Sequence, residues 1–429
     1  MKILHVAHFF YPCLSAGGVV NASYQIASNQ SKDNDVKVIS SDSCKERLKF
    51  PNGRYDVDVN GIKVDYFRNL SNGFKLKTML DTPLAAPFKI RKDIKDYDIV
   101  HIHEHRQTLA ILASYFARKN NIPYIVQAHG SVLPFFQKEG LKNIFDKVFG
   151  FKILHNASCV FALTEVEKEQ YLKMGIDEDK IEIVPLGINL EEYEDLPSFG
   201  RFRSKFNIGE SDKLILFVGR IHEIKGLDLL IDAFNDLINQ NSKENILEDN
   251  SLEDNSLEDN SLEDNSLEDN SLEDNSLEDN NYNIKLAIVG PDDGYLTELE
   301  NKIKEYSLEE NVIITGPLYN DEKQEALVDC DLFVMPSKYE SFTTSGLEAM
   351  ACSKPLVLTK NNHIHDWVDG NVGLACEDNK DSLRESIEKI LFDEELSLIF
   401  AENGRKLIKE KYNWDIINNQ ILEIYNKIL

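Results

Sequence analysis

Short apolar runs alternate along this chain with longer segments in which apolar residues recur every three or four positions. The short runs are typical of buried strands, and the longer segments, such as residues 106–120 and 141–156, are typical of amphipathic helices. The first series of predicted strands covers residues 2–10, 35–41, 98–104, 123–129, 159–164 and 181–186. This alternation predicts a parallel sheet with helices on both faces.

A second series of the same kind begins at Lys213, after a junction at residues 197–209. Its predicted strands cover residues 213–220, 285–290, 311–316, 332–337 and 355–359. Two such series predict an α/β chain with two Rossmann-like domains, at residues 1–197 and 210–405. The remaining residues, 406–429, are predicted to form a C-terminal helical segment.

A five-residue repeat interrupts the second series. Residues 246–280 read ILEDN once and SLEDN six times. Leucines five residues apart advance about 140° around a helix and spread over all its faces, so they form no stripe that could be buried. We therefore predict that residues 243–282 are a mobile, disordered and solvated insertion between a helix at 226–240 and the next strand. It is either an expanded surface loop or a docking segment for a basic partner.

Part of the strong negative charge of the chain is local. The sequence has 47 basic and 74 acidic residues, a net charge of −27. The seven repeat units hold two acids each, so without them 60 acids face 47 bases and the net charge is −13. A nucleic-acid-binding domain normally carries a basic face, and we therefore expect no nucleic-acid partner.

The cysteines and the N-terminus indicate a cytoplasmic protein. None of the six cysteines forms a CxxC pair, so we expect reduced thiols that serve as small apolar residues. His5 and His8 interrupt the N-terminal apolar run, which favours a first strand over a signal peptide. No uncharged apolar stretch reaches the roughly 18 residues that a membrane-spanning helix needs.

Candidate ligand-binding residues stand at the ends of predicted strands, where parallel sheets bind their ligands. Gly17 and Gly18 precede a helical pattern, so the backbone there can approach a phosphate, although an ordinary turn is the alternative. Arg220 and Lys225 follow the first strand of the second domain and could instead be surface ion-pair partners. His129 ends a strand of the first domain, on the side expected to face the second.

The segment PSKYESFTTSGLEAMACSKPLVLT carries the strongest chemical signal. Glu340 and Glu348 are separated by seven residues, around a predicted helix start. Ser345 and Gly346 are small, so backbone N–H groups there can face a phosphate. Two close carboxylates repel each other in an empty site, which predicts a sugar or ribose hydroxyl for one and a cation for the other. Complementing the helix dipole would explain Glu348 but not the pair.

Two other motifs imitate metal sites. His101, His103 and His105 alternate along one face of a predicted strand, but no distal cysteine or histidine completes a zinc site. Asp329 and Asp331 form a DCD motif before an apolar strand, a position that favours helix capping. We therefore expect no metal ion.

Taken together, these segments resemble the retaining GT-B glycosyltransferases of the family-4, or group 1, type. The resemblance extends over nearly the whole chain apart from the repeat. The stretches that carry it are GGV at 17–19, AHG at 128–130, VPLGIN at 184–189, GRIHEIKG at 219–226, ESFTTSGLEAMACSKP at 340–355, WVDGNVGL at 367–374 and YNWD at 412–415. It implies two facing Rossmann-like domains, with a final helix that crosses back to the first. The second domain then binds a nucleotide-diphosphate sugar and the first holds the acceptor.

The resemblance also implies which groups bind the donor diphosphate. Arg220 and Lys225 contact it from the second domain, where Ser345 and Gly346 begin a helix. Gly18 approaches it from the opposite domain.

For the rest of the donor, the resemblance implies that Glu348 holds the ribose and Glu340 the sugar hydroxyls. His129 is expected near the reacting carbon of the sugar. The family usually has glycine where this chain has Ser341 and Ser353, so the donor sugar stays open.

The resemblance implies a retaining, metal-independent transfer of a hexosyl unit to a glycan or lipid-linked acceptor, in cell-surface polysaccharide or glycolipid biosynthesis. Fixed cations in a dry cleft offset the charge on the leaving diphosphate, so no cofactor is needed. Two alternatives stay open: a sugar-nucleotide 2-epimerase of the same fold, and a non-catalytic subunit that binds a sugar nucleotide for a true transferase.

One basic, apolar stretch suggests a further contact. FFQKEGLKNIFDKVFGFK interleaves Phe and Leu with lysines at 138, 142, 147 and 152. Such a segment could lie on an anionic membrane that carries a lipid-linked acceptor, or it could be a core-facing helix with solvated lysines.

Overall fold

A computed structural model describes most of the chain. The described residues are 1–13, 17–44, 47–50, 55–70, 81–133, 139–254 and 283–429.

The first domain is built on an eight-stranded sheet. Its strands are β1 Lys2–Ala7, β2 Asp35–Ser41, β3 Asp56–Val59, β4 Ile62–Phe67, β5 Ile99–His103, β6 Tyr124–Gln127, β7 Cys159–Ala162 and β8 Ile181–Ile183. Their spatial order is β3-β4-β2-β1-β5-β6-β7-β8, and every neighbouring pair is parallel except the β3–β4 hairpin at the edge. The order reverses between β1 and β5, and such a point opens a crevice at the carboxyl ends of the strands.

The second domain repeats this plan with six parallel strands. They are β9 Lys213–Val218, β10 Ile284–Val289, β11 Val312–Gly316, β12 Leu332–Met335, β13 Leu356–Thr359 and β14 Gly373–Cys376, in the order β11-β10-β9-β12-β13-β14. Four consecutive residues of β9, from Leu214 to Phe217, are fully buried, as expected when helices cover both faces of a sheet. The order reverses between β9 and β12. The prediction of two parallel-sheet domains is confirmed.

Helices cover both sheets. They are α1 Gly18–Ser31, α2 Ala86–Asp93, α3 Thr108–Lys119, α4 Glu139–Phe145, α5 Phe151–His155, α6 Glu165–Lys173, α7 Arg201–Lys205, α8 Leu227–Asp254, α9 Leu296–Glu305, α10 Asn320–Asp329, α11 Thr344–Ala351, α12 His365–Val368, α13 Lys380–Phe392, α14 Glu394–Glu410 and α15 Trp414–Ile428. A π-helical turn, Asp146–Gly150, separates α4 from α5, where a single helix was predicted. Within the described ranges, no helix has the length and apolar character needed to span a membrane.

The last helix crosses back to the first domain. The tyrosine Oη of Tyr425 on α15 lies 2.7 Å from Nδ1 of His101, and Gln420 donates to the carbonyl of Ile183 at 2.8 Å. The preceding helix, α14, packs instead on the second domain, where Gly404 lies against Met350. The predicted boundary at 405/406 therefore falls within α14, and the returning helix begins at Trp414.

The chain crosses between the domains twice, and the two crossings are hydrogen-bonded to each other. The amide of Ile188 donates to the carbonyl of Tyr412 at 3.0 Å, and the amide of Trp414 donates to the carbonyl of Ile188 at 3.1 Å. A Cβ on Gly187 would lie 2.8 Å from the carbonyl carbon of Asn413. Only glycine therefore allows the two crossings to come this close.

The repeat departs in part from its prediction. Helix α8 continues through Asp254, so residues 243–254 are helical rather than irregular. Extending an existing helix adds one hydrogen bond for each residue ordered and needs no new nucleus, and leucine and glutamate favour helix. Residues 255–282 lie outside the described part of the chain.

The expectation of six reduced cysteines is wrong for one pair. Cys13 and Cys44 form a disulfide with a Cα–Cα distance of 5.8 Å. These residues follow the neighbouring parallel strands β1 and β2, so the loops that carry them leave the same edge of the sheet. The other four cysteines are free and buried.

Candidate active site

The reversal point of the second sheet brings together the residues that follow β9 and β12. Lys225 and Gly226 end a short 3-10 turn after β9, and Gly226 has a left-handed φ of 67°. A Cβ on Gly226 would overlap the carbonyl oxygen of Pro336, which follows β12. Glycine at this position therefore lets Lys225 approach the loop that carries Glu340.

Lys225 and Glu340 form an ion pair in this crevice. The two side chains are 13% and 14% exposed. Ser337 Oγ lies 3.5 Å from the same carboxylate. The backbone of Glu340 is also fixed, because its amide donates to Asn361 at 3.2 Å and its carbonyl accepts from the His363 amide at 2.8 Å. The carboxylate is therefore held on both its main chain and its side chain.

Glu348 pairs with a cation that sequence reasoning missed. Lys323, on α10, lies 2.8 Å from Glu348 on α11. Both glutamates therefore have a lysine partner, whereas the sequence predicted a cation for one of them. The pairing depends on how α10 packs beside α11, and no local pattern around Lys323 indicates it.

The start of α11 is capped by its own side chains. Thr343 Oγ1 accepts a hydrogen bond from the Gly346 amide at 3.2 Å and lies 3.2 Å from Ser345 Oγ. The Gly346 amide is thus already engaged. Contact of Ser345 and Gly346 with a phosphate stays a prediction.

Arg220 forms an ion pair with Asp293, which follows β10. The side chains are 49% and 43% exposed. An exposed pair of this kind contributes little free energy, so the guanidinium can turn to another anion at small cost.

His129 stands at the carboxyl end of β6, next to a buried acid. His129 and Gly130 have left-handed φ values of 52° and 82°. The Gly130 amide and the Leu163 amide each donate to the carboxylate of Glu167 at 2.6 Å. Burial raises the pKa of Glu167 to about 7, although these two hydrogen bonds act in the opposite direction. Glu167 thus supports the turn that presents His129.

This turn contacts the Glu340 loop across the domain boundary. Tyr339 Oη donates to the carbonyl of Gly130 at 3.2 Å, and Gln170 donates to the same Tyr339 oxygen at 3.4 Å. A Cβ on Gly130 would overlap the side chain of Ser341. The structure therefore brings His129 and Glu340 into adjacent, touching loops.

Gly18 is not part of these contacts. It is the first residue of α1 and is exposed, and apart from its chain neighbours and its own helix backbone no described atom lies within 4 Å of the position that a Cβ would take there. The open space suits a backbone that approaches a ligand, and its role at the diphosphate stays a prediction.

The histidine run differs from its predicted grouping. His101 and His103 lie in β5, and His5 lies in the neighbouring strand β1. Ring nitrogens of these three residues lie within 4.8 Å of one another. His105 lies beyond the strand, with Nε2 3.6 Å from Asp146. The predicted face of residues 101, 103 and 105 is therefore wrong, because the chain leaves the strand after His103.

The DCD motif has a structural role. Asp329 accepts hydrogen bonds from the amides of Gly200 at 2.7 Å and Arg203 at 2.9 Å, at the start of α7. Asp331 accepts from the Arg203 guanidinium at 2.9 Å and from the Leu214 amide at 2.6 Å. Asp329 therefore caps the start of α7, as predicted, whereas Asp331 binds Arg203 and the start of β9 instead of capping a helix.

Two family models match the chain. The one described as Glycosyltransferase Family 4 matches residues 16–192, and the one described as Glycosyl transferases group 1 matches residues 272–407. The first match contains His129, and the second contains Glu340 and Glu348.

Relatives align along most of the chain. It is 24% identical to an uncharacterized glycosyltransferase of Methanocaldococcus jannaschii, over 100% of this chain and 99% of that protein. It is 23% identical to the lipopolysaccharide 1,2-N-acetylglucosaminetransferase of Salmonella typhimurium, over 97% of this chain and 95% of that protein. The solved structure of Anabaena HepE in complex with UDP-glucose covers 100% of both chains with a TM-score of 0.72 and 18% identity. Two parallel-sheet domains, a returning helix and both family matches agree: the chain belongs to the group 1, family-4 type glycosyltransferases of GT-B fold.

Proposed function

We propose that this glycosyltransferase moves a hexosyl unit, with retention of configuration and without a metal ion, from a nucleotide-diphosphate sugar to a glycan or lipid-linked acceptor. We further propose a role in cell-surface polysaccharide or glycolipid biosynthesis. The observation that carries the proposal is the pair of Lys–Glu contacts in the second domain, with the His129 turn against the Glu340 loop.

The donor is proposed to bind at the reversal point of the second sheet. Lys225 and Arg220 then contact the diphosphate, Glu348 the ribose and Glu340 a sugar hydroxyl. Each cation has a carboxylate partner, Glu340 for Lys225 and Asp293 for Arg220. A bound diphosphate would attract both cations away from their carboxylate partners. Separating the exposed Arg220–Asp293 pair costs less free energy than separating Lys225 from Glu340.

The reaction step follows from charge. The acceptor oxygen attacks the reacting carbon on the face from which the diphosphate departs, and the bond from that carbon to the phosphate oxygen breaks. The acceptor proton passes to an oxygen of the departing phosphate. Lys225 and Arg220 stabilise the negative charge that develops there, and one such group contributes on the order of 10²–10³ in rate.

The proposal of a metal-independent reaction draws support from the DCD motif. Asp329 and Asp331 are the carboxylates that resemble a metal-binding motif, and both are committed to hydrogen bonds with the linker. Activity should therefore survive exhaustive chelation. Loss of activity on chelation, with recovery in magnesium or manganese, would show that this part is wrong.

A lipid-linked acceptor is favoured by the surface around α4. The sequence allowed a core-facing helix here, but no described side chain of α4 is buried. Ile144 and Val148 are 61% and 56% exposed, and Lys147 and Lys152 are exposed beside them. Apolar and basic side chains on one face suit an anionic membrane surface.

Vesicle binding tests this acceptor class. We expect the protein to sediment with phosphatidylglycerol-containing vesicles and not with vesicles of phosphatidylcholine alone. Ile144→Asp with Val148→Asp should abolish sedimentation. Leu398→Asp, at an exposed leucine on α14, is the matched control and should leave it unchanged. Equal binding by all three proteins would contradict a membrane contact at α4.

The reaction itself is tested in two steps. A panel of sugar nucleotides is screened by thermal shift, because a bound donor stabilises the fold by mass action. The donor found is then incubated with and without candidate acceptors, and the products are identified. Transfer with an unchanged anomeric configuration supports the proposal. Epimerised sugar nucleotide without acceptor would identify a 2-epimerase, and binding with neither product would identify a non-catalytic subunit.

A further inference from the structure

A buried chain of hydrogen bonds connects Gln30 on α1 to His129 at the end of β6. Gln30 Oε1 lies 2.9 Å from Nε2 of His5, and Nδ1 of His5 lies 3.0 Å from Nε2 of His103. Nδ1 of His103 lies 3.0 Å from Nε2 of His129. Gln30, His5 and His103 are fully buried or nearly so, so water does not compete for these bonds.

The amide oxygen of Gln30 can only accept a hydrogen bond, and this sets the direction of every bond in the chain. Burial lowers the pKa of His5 to about 4 and that of His129 to about 3, and it lowers that of His103 well below its usual value. Each ring is therefore neutral near pH 7 and carries one proton. A ring that donates from one nitrogen must accept at the other.

The proton positions then follow in order. His5 donates from Nε2 to Gln30 and accepts at Nδ1. His103 donates from Nε2 to His5 and accepts at Nδ1. His129 donates from Nε2 to His103, so its Nδ1 keeps a free lone pair. No described residue forms a hydrogen bond with that Nδ1 atom.

The nitrogen of the Gln30 amide is hydrogen-bonded to α15, the helix that returns from the second domain. Nε2 of Gln30 donates to Oη of Tyr425 at 3.4 Å, and that oxygen lies 2.7 Å from Nδ1 of His101. The Tyr425 hydroxyl can accept the hydrogen bond from Gln30 and donate its own hydrogen to Nδ1 of His101. Turning the amide by 180° would move every proton in the chain to the other ring nitrogen.

A metal ion among these histidines fits less well. It would have to displace the hydrogen bonds of His5 and His103 in order to use their nitrogens. Apart from burial, the side chains that shift the pKa of His101 and His103 are other histidines and Gln127. A buried divalent charge needs compensation, and carboxylates are not among these partners.

We propose that Gln30 and His5 are positioning residues for His129. Through His103 they hold its imidazole in the tautomer that is protonated at Nε2, and Nδ1 is left to accept a hydrogen bond from a hydroxyl of the donor sugar. The tautomer follows from the orientation of the Gln30 amide in the structure, whereas the contact with the sugar rests on the proposed function.

The tautomer can be measured on the full chain without substrate. Histidine is labelled with ¹⁵N, and long-range ¹H–¹⁵N correlations distinguish the protonated from the unprotonated ring nitrogen. His129→Asn identifies the signals of that residue by their loss. We expect a proton on Nε2 and none on Nδ1 for His5, His103 and His129. A proton on Nδ1 of His129 overturns the proposal, whatever the activity.

A substitution of Gln30, the first residue in this series of hydrogen bonds, tests whether it is coupled to His129. Gln30→Met keeps the size but removes the acceptor, so the His129 signals should shift or split into two tautomers. The kcat should fall on the order of tenfold, as for one lost hydrogen bond, while nucleotide affinity changes less than about twofold. Gln420→Met is the control. Gln420 is on the same helix as Tyr425 but takes no part in these hydrogen bonds to His129, so this variant should change neither the His129 signals nor kcat.

The results separate the proposals. Unchanged His129 signals in folded Gln30→Met would overturn the positioning role. If Gln30→Met does not fold, the proposal is judged by the His129 tautomer that is measured in the unsubstituted protein. The expected tautomer in a protein that transfers no sugar would leave the positioning intact and refute the proposed function.

Discussion

Lys225 and Glu340 neutralise each other in the crevice of the second domain, so removal of either leaves the other charge uncompensated. Lys225→Ala should lower kcat by about 10²-fold or more, with a smaller rise in donor KM, because the charge it stabilises is greatest in the transition state. Steady-state kinetics on the donor gives both constants. An effect confined to KM would contradict a role in the departure of the diphosphate.

The same pair predicts non-additive effects. In Lys225→Ala the Glu340 carboxylate faces the diphosphate alone and repels it. Adding Glu340→Gln removes that repulsion, so the double variant should lose less activity than the two single losses multiplied. A double-mutant cycle on kcat/KM measures this coupling. Simple multiplication of the two effects would show that the ion pair is irrelevant to the donor.

The two glutamates should differ in what they bind. Glu348→Ala should weaken binding of the nucleoside diphosphate, because its proposed partner is the ribose. Glu340→Gln should leave that binding nearly unchanged and reduce sugar transfer, through a charge-assisted hydrogen bond of about 1.5–3 kcal/mol. Calorimetry with the nucleotide, beside transfer rates, compares them. The opposite pattern would exchange the two roles.

The sequence predicted candidate site residues at strand ends and missed the residues that contact them. Arg220, Lys225 and Glu340 were predicted because parallel sheets bind ligands at that edge. Lys323 and Glu167 were missed because their partners, Glu348 and the Gly130 amide, are far away in sequence. A pairing of this kind depends on tertiary packing, which one sequence does not reveal.

At the scale of elements, most strands were predicted, including β8 and β11 at sheet edges, whereas β3, β4 and β14 were missed. Central strands such as β9 are continuous apolar runs because both faces are covered. The edge hairpin β3–β4 alternates polar and apolar residues and was missed. Its turn, Asn60-Gly61, has left-handed φ values of 50° and 87° and is a strong hairpin signal.

The repeat leads to a prediction for α8. The described side chains of α8 end at Gln240, and the last of them that pack against the core are Leu237 and Ile238. The repeat has no apolar stripe that could be buried, so we predict that it is not needed for packing. Deleting 246–280 should leave activity unchanged and alter the free energy of unfolding by less than about 1 kcal/mol, since loop closure depends weakly on length. Urea unfolding and a transfer assay measure both. An insoluble or inactive variant would show that the repeat contributes to the fold.

For the whole molecule, the buried histidines predict loss of stability in acid. Burial lowers the pKa of each histidine in the group His5, His101, His103, His105 and His129. Between pH 6.5 and about 4 the unfolded chain takes up protons that the folded chain does not, so the free energy of unfolding falls as the pH falls. Each histidine contributes about 1.4 kcal/mol per pH unit over its own window.

Glu167 opposes this trend but does not reverse it. Its raised pKa makes the folded chain the better proton acceptor between about pH 7 and 4.5, so this single acid gains stability as the pH falls. Urea unfolding at pH 7.5, 6.5 and 5.5 should still show a net decrease. Raising the salt concentration should change the slope little, because burial rather than charge pairing causes these shifts. A flat or rising stability would contradict neutral, buried histidines.

The paired crossings at Ile188 and Trp414 restrict how the two domains can move. Because the two segments that connect the domains are hydrogen-bonded to each other, we expect them to act as one pivot and not as two independent connections. Arg203 clamps the rest of the linker to the second domain, so that segment travels with it. We therefore expect the cleft to open and close by rotation of one domain about this pivot, and opening would break the hydrogen bond from Tyr339 to the Gly130 carbonyl.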